Sequence, residues 1–338
     1  MILIISQIEF EESTNKVIDW LDYYQANYLK INGDELIDSF IYSLVDENWR
    51  LYSDKFKLPP PCEISVIWNR RWVSNPVLFQ KSHVFKDEIL NKENLNYIRN
   101  EYTTLKELFA YYYKDCKWVD PIENIKLNKL VVLEKAQSIG LEVPKTIITS
   151  EKEVLENFIK SNGDVIIKSL YQLKFITIDN TAFNMYTEKI SLELLDKLPE
   201  TFFPACFQTL INKKFEIRIF YFFGQISAMV IFSQLEDATK IDFRAENYND
   251  LSIKKTPFLL PSALNEKIDA LMKELGLCTG SIDMLVSNKN EYIFLEVNPI
   301  GQFGMTSVPC NYHIEKDIAL KFIEMDKEFY ERKLTPQA

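Results

Sequence analysis

The sequence predicts a mixed α/β (α+β) protein with more than one domain, and three observations support this. Strand and helix patterns alternate over the first 120 residues, which is typical of a parallel sheet. Two hairpin patterns follow, over residues 215–233 and 280–299, and they predict an antiparallel sheet. The chain has 338 residues, too many for one small hydrophobic core. We therefore expect two or three structural domains.

The composition is that of a soluble globular protein, with 47% hydrophobic and 26% charged residues. A net charge of −10 argues against general nucleic-acid binding, which requires a basic face. The sequence has no apolar run of eighteen residues, so no membrane span is expected. Residues 1–5 are apolar but few, and they are interpreted as a first strand, not a signal peptide.

The cysteines and histidines limit the chemistry that the chain can perform. Five cysteines are scattered without a CxxC pair, which predicts reduced thiols, a cytoplasmic protein and no zinc site. Only two histidines are present, which argues against a histidine-based catalytic triad and against a histidine-rich metal site.

The first 120 residues begin with a buried strand over 2–5, a helix over 13–25 and a second strand over 28–31. The segment Glu63–Trp72 is a further predicted strand that ends in two adjacent arginines. Arg70 and Arg71 are interpreted as a plain charged strand end, although the pattern Trp68-x-Arg70-Arg71 also resembles the N-terminal domain of ATP-grasp peptide ligases of the microviridin type. Residues 86–114 follow a helical pattern with an apolar stripe, which predicts core packing.

In the middle of the chain, Asn128 is predicted to cap a helix that ends near Ile139. Lys129 then lies in the first helical turn, where the helix dipole slightly disfavours a cation and a solvent-facing side chain is the ordinary expectation. Residues 150–153 have the pattern of a capping box and predict the start of another helix. Lys168 ends the apolar strand over 164–168, and its ammonium group there requires water or an anion.

The most informative stretch is the hairpin formed by residues 280–286 and 292–299. Side chains two residues apart on a strand point the same way, so we expect Phe294, Glu296 and Asn298 on one face. The turn between the strands brings Asp283 next to Glu296. Two carboxylates and one amide oxygen are hard ligands that suit Mg²⁺, although the same residues also fit the solvated face of an antiparallel sheet.

Asp283, followed by Leu-Glu-Val-Asn-Pro at 295–299, resembles the metal-binding signature of the ATP-grasp ligases. This resemblance implies that Asp283, Glu296 and Asn298 hold Mg²⁺, with two ions expected, against the phosphates of ATP. It also implies phosphate-binding roles for Lys129 and Lys168.

Further landmarks of the ATP-grasp ligases occur in the family's order. The segment after Ala205 resembles the hinge that holds the adenine, which assigns this role to Gln208, Thr209, Leu210 and Ile211. Arg218 matches the arginine that contacts the transferring phosphate. The sequence departs from the family at residues 169–175, where many relatives have a glycine-rich loop over the phosphates and this chain has no glycine.

Ser233-Gln234 and the later Lys240-Ile-Asp-Phe-Arg244 resemble the ATP-grasp maturases of the microviridin and grasp-with-spasm type. By this resemblance Arg244 neutralises charge on the phosphate or on a substrate carboxylate. It implies an N-terminal pre-ATP-grasp domain (1–120), a central subdomain (121–205) and a C-terminal antiparallel-sheet subdomain (206–334) that together enclose ATP.

The activity implied by this resemblance is ATP-dependent formation of ω-ester, or ω-amide, cross-links in a ribosomal precursor peptide. The partner is then a precursor with a leader and a core, and a homodimer is left open. Two other hypotheses stay open. One is a ligase that adds an amino acid to a peptide or protein carboxylate. The other is a binding module that has lost catalysis, as the missing glycine-rich loop suggests.

Overall fold

The structure of the protein is a computed structural model, and it describes residues 1–9, 11–45, 48–53, 57–73, 75–170, 175–178, 181–184, 187–232 and 254–334. These residues divide into two compact units. Unit 1 comprises Met1–Lys126, Gly276–Thr279 and the segment from Gln302 onward. Unit 2 comprises Leu127–Leu275 and Gly280–Gly301. Within the described residues, no helix combines the length and apolar character needed to cross a membrane.

The helices of the described chain, with one short 3-10 turn at Pro61–Glu63, are α1 (Glu12–Tyr23), α2 (Gly33–Leu36), α3 (Asn75–Ser82), α4 (Glu88–Tyr112), α5 (Lys129–Ser138), α6 (Lys152–Asn162), α7 (Leu192–Lys197), α8 (Ser262–Glu274), α9 (Gly304–Cys310) and α10 (Ile314–Leu334). The strands are β1 (Ile2–Ser6), β2 (Tyr28–Asn32), β3 (Phe40–Val45), β4 (Asn48–Ser53), β5 (Val66–Asn69), β6 (Trp118–Val119), β7 (Thr146–Glu151), β8 (Val165–Lys168), β9 (Phe175–Ile178), β10 (Thr181–Asn184), β11 (Glu188–Lys189), β12 (Thr201–Thr209), β13 (Lys213–Phe222), β14 (Gln225–Ile231), β15 (Lys255–Phe258), β16 (Thr279–Ser287) and β17 (Tyr292–Asn298).

Unit 1 is built on a parallel sheet of order β2-β1-β5-β6. Residues 2–5 of the central strand β1 are fully buried, as expected where both faces of a parallel sheet are covered. Tyr102 and Phe109 of α4 belong to the hydrophobic core against one face. Helix α10 packs on the sheet and on α1, with the rings of Trp68 and Phe322 5.1 Å apart.

Unit 2 contains two larger sheets. The first is antiparallel, of order β11-β8-β12-β7, and its core is formed around Leu155, Val165 and Phe207. The second has the order β15-β14-β13-β16-β17, in which β13–β14, β14–β15 and β16–β17 pair antiparallel. The mixed fold class predicted from the sequence is confirmed.

Several local predictions are confirmed as well. The apolar stripe of the 86–114 segment packs in the core of unit 1 as α4. Asn128 caps α5, because its side chain accepts a hydrogen bond from the amide of Leu130 at 3.0 Å. The hairpin turn between β16 and β17 lies where the sequence predicts it.

Two local predictions are wrong. The capping box at 150–153 does not form, because β7 continues through Glu151 and α6 begins only at Lys152, without a side-chain cap. The Thr149 hydroxyl instead accepts a hydrogen bond from the amide of Glu151 at 3.0 Å. The predicted strand over 63–72 is strand only at β5, since a 3-10 turn precedes it.

The predicted division at 1–120, 121–205 and 206–334 stays a prediction. The two units differ from it, because the chain from Gln302 onward, including α10, lies within the predicted 206–334 domain but belongs with unit 1.

Candidate active site

The β16–β17 hairpin brings the two predicted metal-binding carboxylates together. Asp283 lies directly opposite Glu296 in the antiparallel ladder, and Ser281 lies opposite Asn298. Residues that face each other across such a ladder project from the same side of the sheet. The two carboxylates are therefore neighbours, and Asn298 lies two residues further along the same strand.

A β-bulge at Leu295 changes the expected alternation along β17. Met284 pairs with Phe294 while Asp283 pairs with Glu296, so Leu295 is the extra residue. Successive residues of β16 point to opposite faces, and their partners must do the same. The prediction that Phe294 shares a face with Glu296 is thus wrong. The bulge buries Phe294 completely and directs both Leu295 and Glu296 toward a cleft.

Lys129 lies at the first turn of α5 and contacts Glu296. Its Nζ donates to Glu296 Oε2 at 2.9 Å. Packing explains this contact, because α5 lies against β17 and the chain after α5 is hydrogen-bonded to the same strand. There the amide of Phe294 donates to the carbonyl of Glu142 at 2.8 Å. Lys129 thus faces an anion, not solvent alone.

Arg218 forms the corresponding ion pair with Asp283. It lies on β13, the strand next to β16, and is mostly buried. Its Nη1 donates to both carboxylate oxygens of Asp283, at 2.5 and 2.6 Å. We call Lys129, Arg218, Asp283 and Glu296 the carboxylate–cation site.

A small cleft in unit 2 adjoins this site. Lys168 ends β8 opposite Cys206 of β12, and both line the cleft together with Lys129 and Glu296. Burial raises the pKa of the Cys206 thiol, although the nearby ammonium groups of Lys168 and Lys129 oppose this shift. The remaining lining residues are Leu130, Leu133, Ser169, Leu170, Gln208 and Leu295.

The predicted adenine hinge lies at the end of β12. The Gln208 side chain donates to the Thr146 hydroxyl at 3.0 Å and lines the cleft. The amide of Thr209 already donates to the carbonyl of Lys145 at 3.0 Å, and that of Leu210 to the carbonyl of Asp164 at 2.8 Å. Both amides are therefore already engaged in hydrogen bonds within the protein.

The donor set fits a hard cation that binds together with phosphate. In the part of the chain that the structure describes, no three His, Cys, Asp or Glu side chains form a metal cage. Two adjacent carboxylates with the nearby Asn298 amide instead match Mg²⁺, which takes one or two carboxylates and completes its shell with water and phosphate oxygens.

Not every predicted residue can be placed. Arg244, with Ser233, Gln234 and Lys240, lies outside the described residues, as do positions 171–174 of the segment that lacks the glycine-rich loop. The roles assigned to the other site residues stay predictions. Cys206, Ser169, Leu170 and Leu295 line the cleft but were not predicted from the sequence. Two of them, Ser169 and Leu295, adjoin predicted site residues, but their orientation depends on strand pairing that no local pattern reveals.

Comparison with known proteins gives no match to any family model or to any curated sequence. Solved structures do match. A RiPP-associated ATP-grasp ligase from Chryseobacterium gregarium, solved with ADP and a leader and core peptide, is 26% identical, with a TM-score of 0.79 over 99% of this chain and 97% of that chain.

The chain has the ATP-grasp ligase fold. The macrocyclase MdnC from Microcystis aeruginosa MRC, bound with precursor peptide MdnA, is 24% identical, with a TM-score of 0.76 over 96% of this chain and 99% of that chain. The ATP-grasp ligase PsnB, complexed with minimal precursor, Mg and ADP, is 16% identical, with a TM-score of 0.74 over 96% and 97%. The resemblance to ATP-grasp ligases inferred from the sequence is confirmed at the level of the fold.

Proposed function

We propose that the chain is an ATP-dependent ligase that forms ω-ester or ω-amide cross-links within a ribosomal precursor peptide. The observation that carries this proposal is the carboxylate–cation site beside the Lys168 cleft, on a fold shared with ATP-grasp ligases. The similarity to the Chryseobacterium gregarium ligase supports the peptide substrate, because that protein was solved with a leader and a core peptide.

ATP and Mg²⁺ are the required small molecules in this proposal. Asp283, Glu296 and Asn298 hold the metal, with two ions expected, and bound Mg²⁺ neutralises charge on the phosphates. The PsnB complex with Mg and ADP supports this choice. Lys129 and Lys168 contact the phosphates, and the 208–211 hinge holds the adenine.

The reaction proceeds in two steps. A side-chain carboxylate of the peptide attacks the γ-phosphorus of ATP, which forms an acyl phosphate and releases ADP. A Ser or Thr hydroxyl, or a Lys amine, then attacks the acyl carbon, loses its proton and expels inorganic phosphate. Lys168 and Arg218 stabilise the negative charge that spreads over the phosphoryl oxygens in the first step, and Arg244 is proposed to assist them. Neither step needs a nucleophile from the enzyme, so positioning provides much of the rate.

The existing ion pairs suggest how the site accepts its ligands. Lys129 and Arg218 neutralise Glu296 and Asp283, whose carboxylates lie on adjacent strands and repel each other. A metal ion held by the two carboxylates would compete with Lys129 and Arg218 for them, and the two cations would then turn toward phosphate oxygens. Metal and nucleotide binding are therefore coupled through an exchange of partners.

The test is incubation of the chain with ATP, Mg²⁺ and candidate precursor peptides, followed by mass spectrometry. Short reading frames beside the gene that are rich in Thr, Ser, Asp and Glu supply the candidates. Loss of one or more waters per peptide, matched by ADP release, is the expected result. A gain of mass would indicate the amino-acid-adding ligase instead. Absence of peptide-dependent ADP release with every candidate would favour the non-catalytic binding module.

A further inference from the structure

The fold of unit 1 brings together two cysteines that are far apart in the sequence. Cys62 lies in the 3-10 turn before β5, and Cys116 lies two residues before β6. These strands are parallel neighbours in register, with Ile67 opposite Trp118. Both cysteines therefore lie where the two strands begin, at the same end of the sheet.

Hydrogen bonds bring the two residues close. The carbonyl of Pro61, the residue before Cys62, accepts a bond from the Cys116 thiol at 3.4 Å. The same carbonyl accepts the amide of Ile64 at 3.1 Å, which closes the turn around Cys62. The Cys116 sulfur thus lies against the peptide group that leads directly into Cys62.

The two cysteines also line one pocket of about 540 Å³. Cys62 is exposed and Cys116 is partly buried. Ile64, Met325 and Phe329 supply apolar walls, and the basic side chains of Lys117, Arg332 and Lys333 complete part of the lining. Cys62 is accessible to a small oxidant, and Cys116 lines the same pocket.

We propose that Cys62 and Cys116 are a redox-modification site at which hydrogen peroxide forms a reversible intramolecular disulfide. The Cys62 thiolate attacks one peroxide oxygen and becomes a sulfenic acid, and water leaves once the released hydroxide is protonated. Cys116 then attacks the Cys62 sulfur, loses its proton and expels a second water. Overall, two thiols give two electrons and two protons to one peroxide, which becomes two waters.

The order of the two steps follows from exposure and acidity. Burial raises the pKa of Cys116 to about 11, with smaller contributions from Asp115 and Cys62. Cys116 is therefore mainly a thiol near neutral pH, and the thiolate is the reactive form. Exposed Cys62 therefore reacts first with peroxide. Cys116 then forms the disulfide because it lies close to Cys62. The pair is independent of the ligase activity proposed above.

The experiment treats the full-length chain with hydrogen peroxide, blocks the remaining thiols and maps its peptides by mass spectrometry without reductant. The expected product is the Cys62 peptide joined to the Cys116 peptide, lighter by two hydrogen atoms than the sum of both. Thiol titration should find two fewer reactive thiols than the five of the reduced, unfolded chain. A reductant should restore all five.

Three variants make the test specific. Cys62→Ser and Cys116→Ser should each abolish the linked peptide, whereas Cys278→Ser, at a cysteine that is partly buried like Cys116, should leave it unchanged. The proposal is overturned if all five thiols persist after peroxide treatment. It is equally overturned if Cys62 ends only as sulfinic or sulfonic acid, or forms only dimers between chains.

Discussion

Two groups of charged residues, one in each unit, use the same side-chain chemistry in different surroundings. In unit 1, Glu11 pairs with Arg71 at 3.1 Å and lies 3.9 Å from Arg70; we call these three residues the Glu11 cluster. The Glu11 and Arg70 side chains are 0% and 2% exposed. In the carboxylate–cation site of unit 2, Lys129 is 38% exposed and Glu296 is 17% exposed.

The Glu11 cluster is closed by its neighbours. The guanidinium of Arg70 lies over the rings of Trp68 and Phe303, at 5.3 and 5.4 Å. Burial lowers the pKa of Arg70 to about 10, and the Glu11 carboxylate opposes that shift. The Thr14 hydroxyl donates to Glu11 as well. Such a cluster holds the end of β5 in place and offers little access to a ligand.

The Lys129–Glu296 pair of the carboxylate–cation site differs because it borders a cleft and both side chains are partly solvated. Water weakens this ion pair, so exchanging its partners costs little. The comparison indicates that burial, more than residue type, separates charges that stabilise the fold from charges that are available for ligands.

The largest expected effect comes from breaking the closed cluster. Glu11→Gln leaves Arg70 buried without this carboxylate, and breaking a buried pair from one side costs about 3–5 kcal/mol. Urea denaturation should show this loss in the free energy of unfolding. Glu12→Gln, at the exposed neighbouring position on α1, is the matched control and should change stability by less than about 0.5 kcal/mol. Equal effects of the two variants would contradict the comparison.

The second prediction concerns a substitution that should lower activity strongly and stability only slightly. Glu296→Gln removes one predicted metal ligand, and loss of such transition-state stabilisation lowers rates by about 10²–10³. The unfolding free energy should change by no more than about 1 kcal/mol, since the site is partly solvated. Peptide-dependent ADP release and thermal denaturation measure the two quantities. A collapse of the fold would show that Glu296 is structural.

The same contrast shows which features the sequence reveals. The alternation of strands and helices predicts the parallel sheet of unit 1, and a local turn suffices to predict that Asp283 lies beside Glu296. The burial of Arg70 is not predictable in this way, because Trp68 lies on the same strand but Glu11 and Phe303 come from distant segments. Arg70 was expected at a plain charged strand end, and it does follow β5 directly, but its burial was not expected.

The bulge at Leu295 is a second feature that the sequence conceals. Period-two alternation predicts faces correctly only while both strands advance together, and one extra residue inverts the faces beyond it. The prediction that Glu296 lies beside Asp283 is confirmed, because it depends only on the pairing of these two residues. The prediction that Phe294 shares a face with Glu296 is wrong, because it depends on uninterrupted alternation. Predictions based on local bonds, such as the Asn128 cap, are independent of this pairing.

The third prediction tests the proposed exchange of partners. In the proposed exchange, Mg²⁺ alone has to compete with Lys129 and Arg218 for the carboxylates, and ATP alone has to draw the two cations away from them. Together they should raise the thermal midpoint by more than the sum of their separate effects. Saturation at a hundredfold excess over Kd corresponds to about 2.7 kcal/mol of stabilisation. Asp283→Asn should reduce the joint effect. A full shift with Mg²⁺ alone would contradict the exchange.

The smallest expected effect concerns the Lys129–Glu296 pair without ligands. A double-mutant cycle with Lys129→Met and Glu296→Gln isolates the coupling between the two side chains. Lys129 is more than one third exposed, so solvent screening should keep the coupling in unfolding free energy below about 1 kcal/mol. A cycle on Glu11 and Arg70 should give a clearly larger value, since both side chains are almost fully buried. If the Lys129–Glu296 coupling instead exceeded about 2 kcal/mol, this pair would be as structural as the Glu11 cluster. Lys129 would then be held too firmly to turn toward a phosphate, and the proposed exchange of partners would fail.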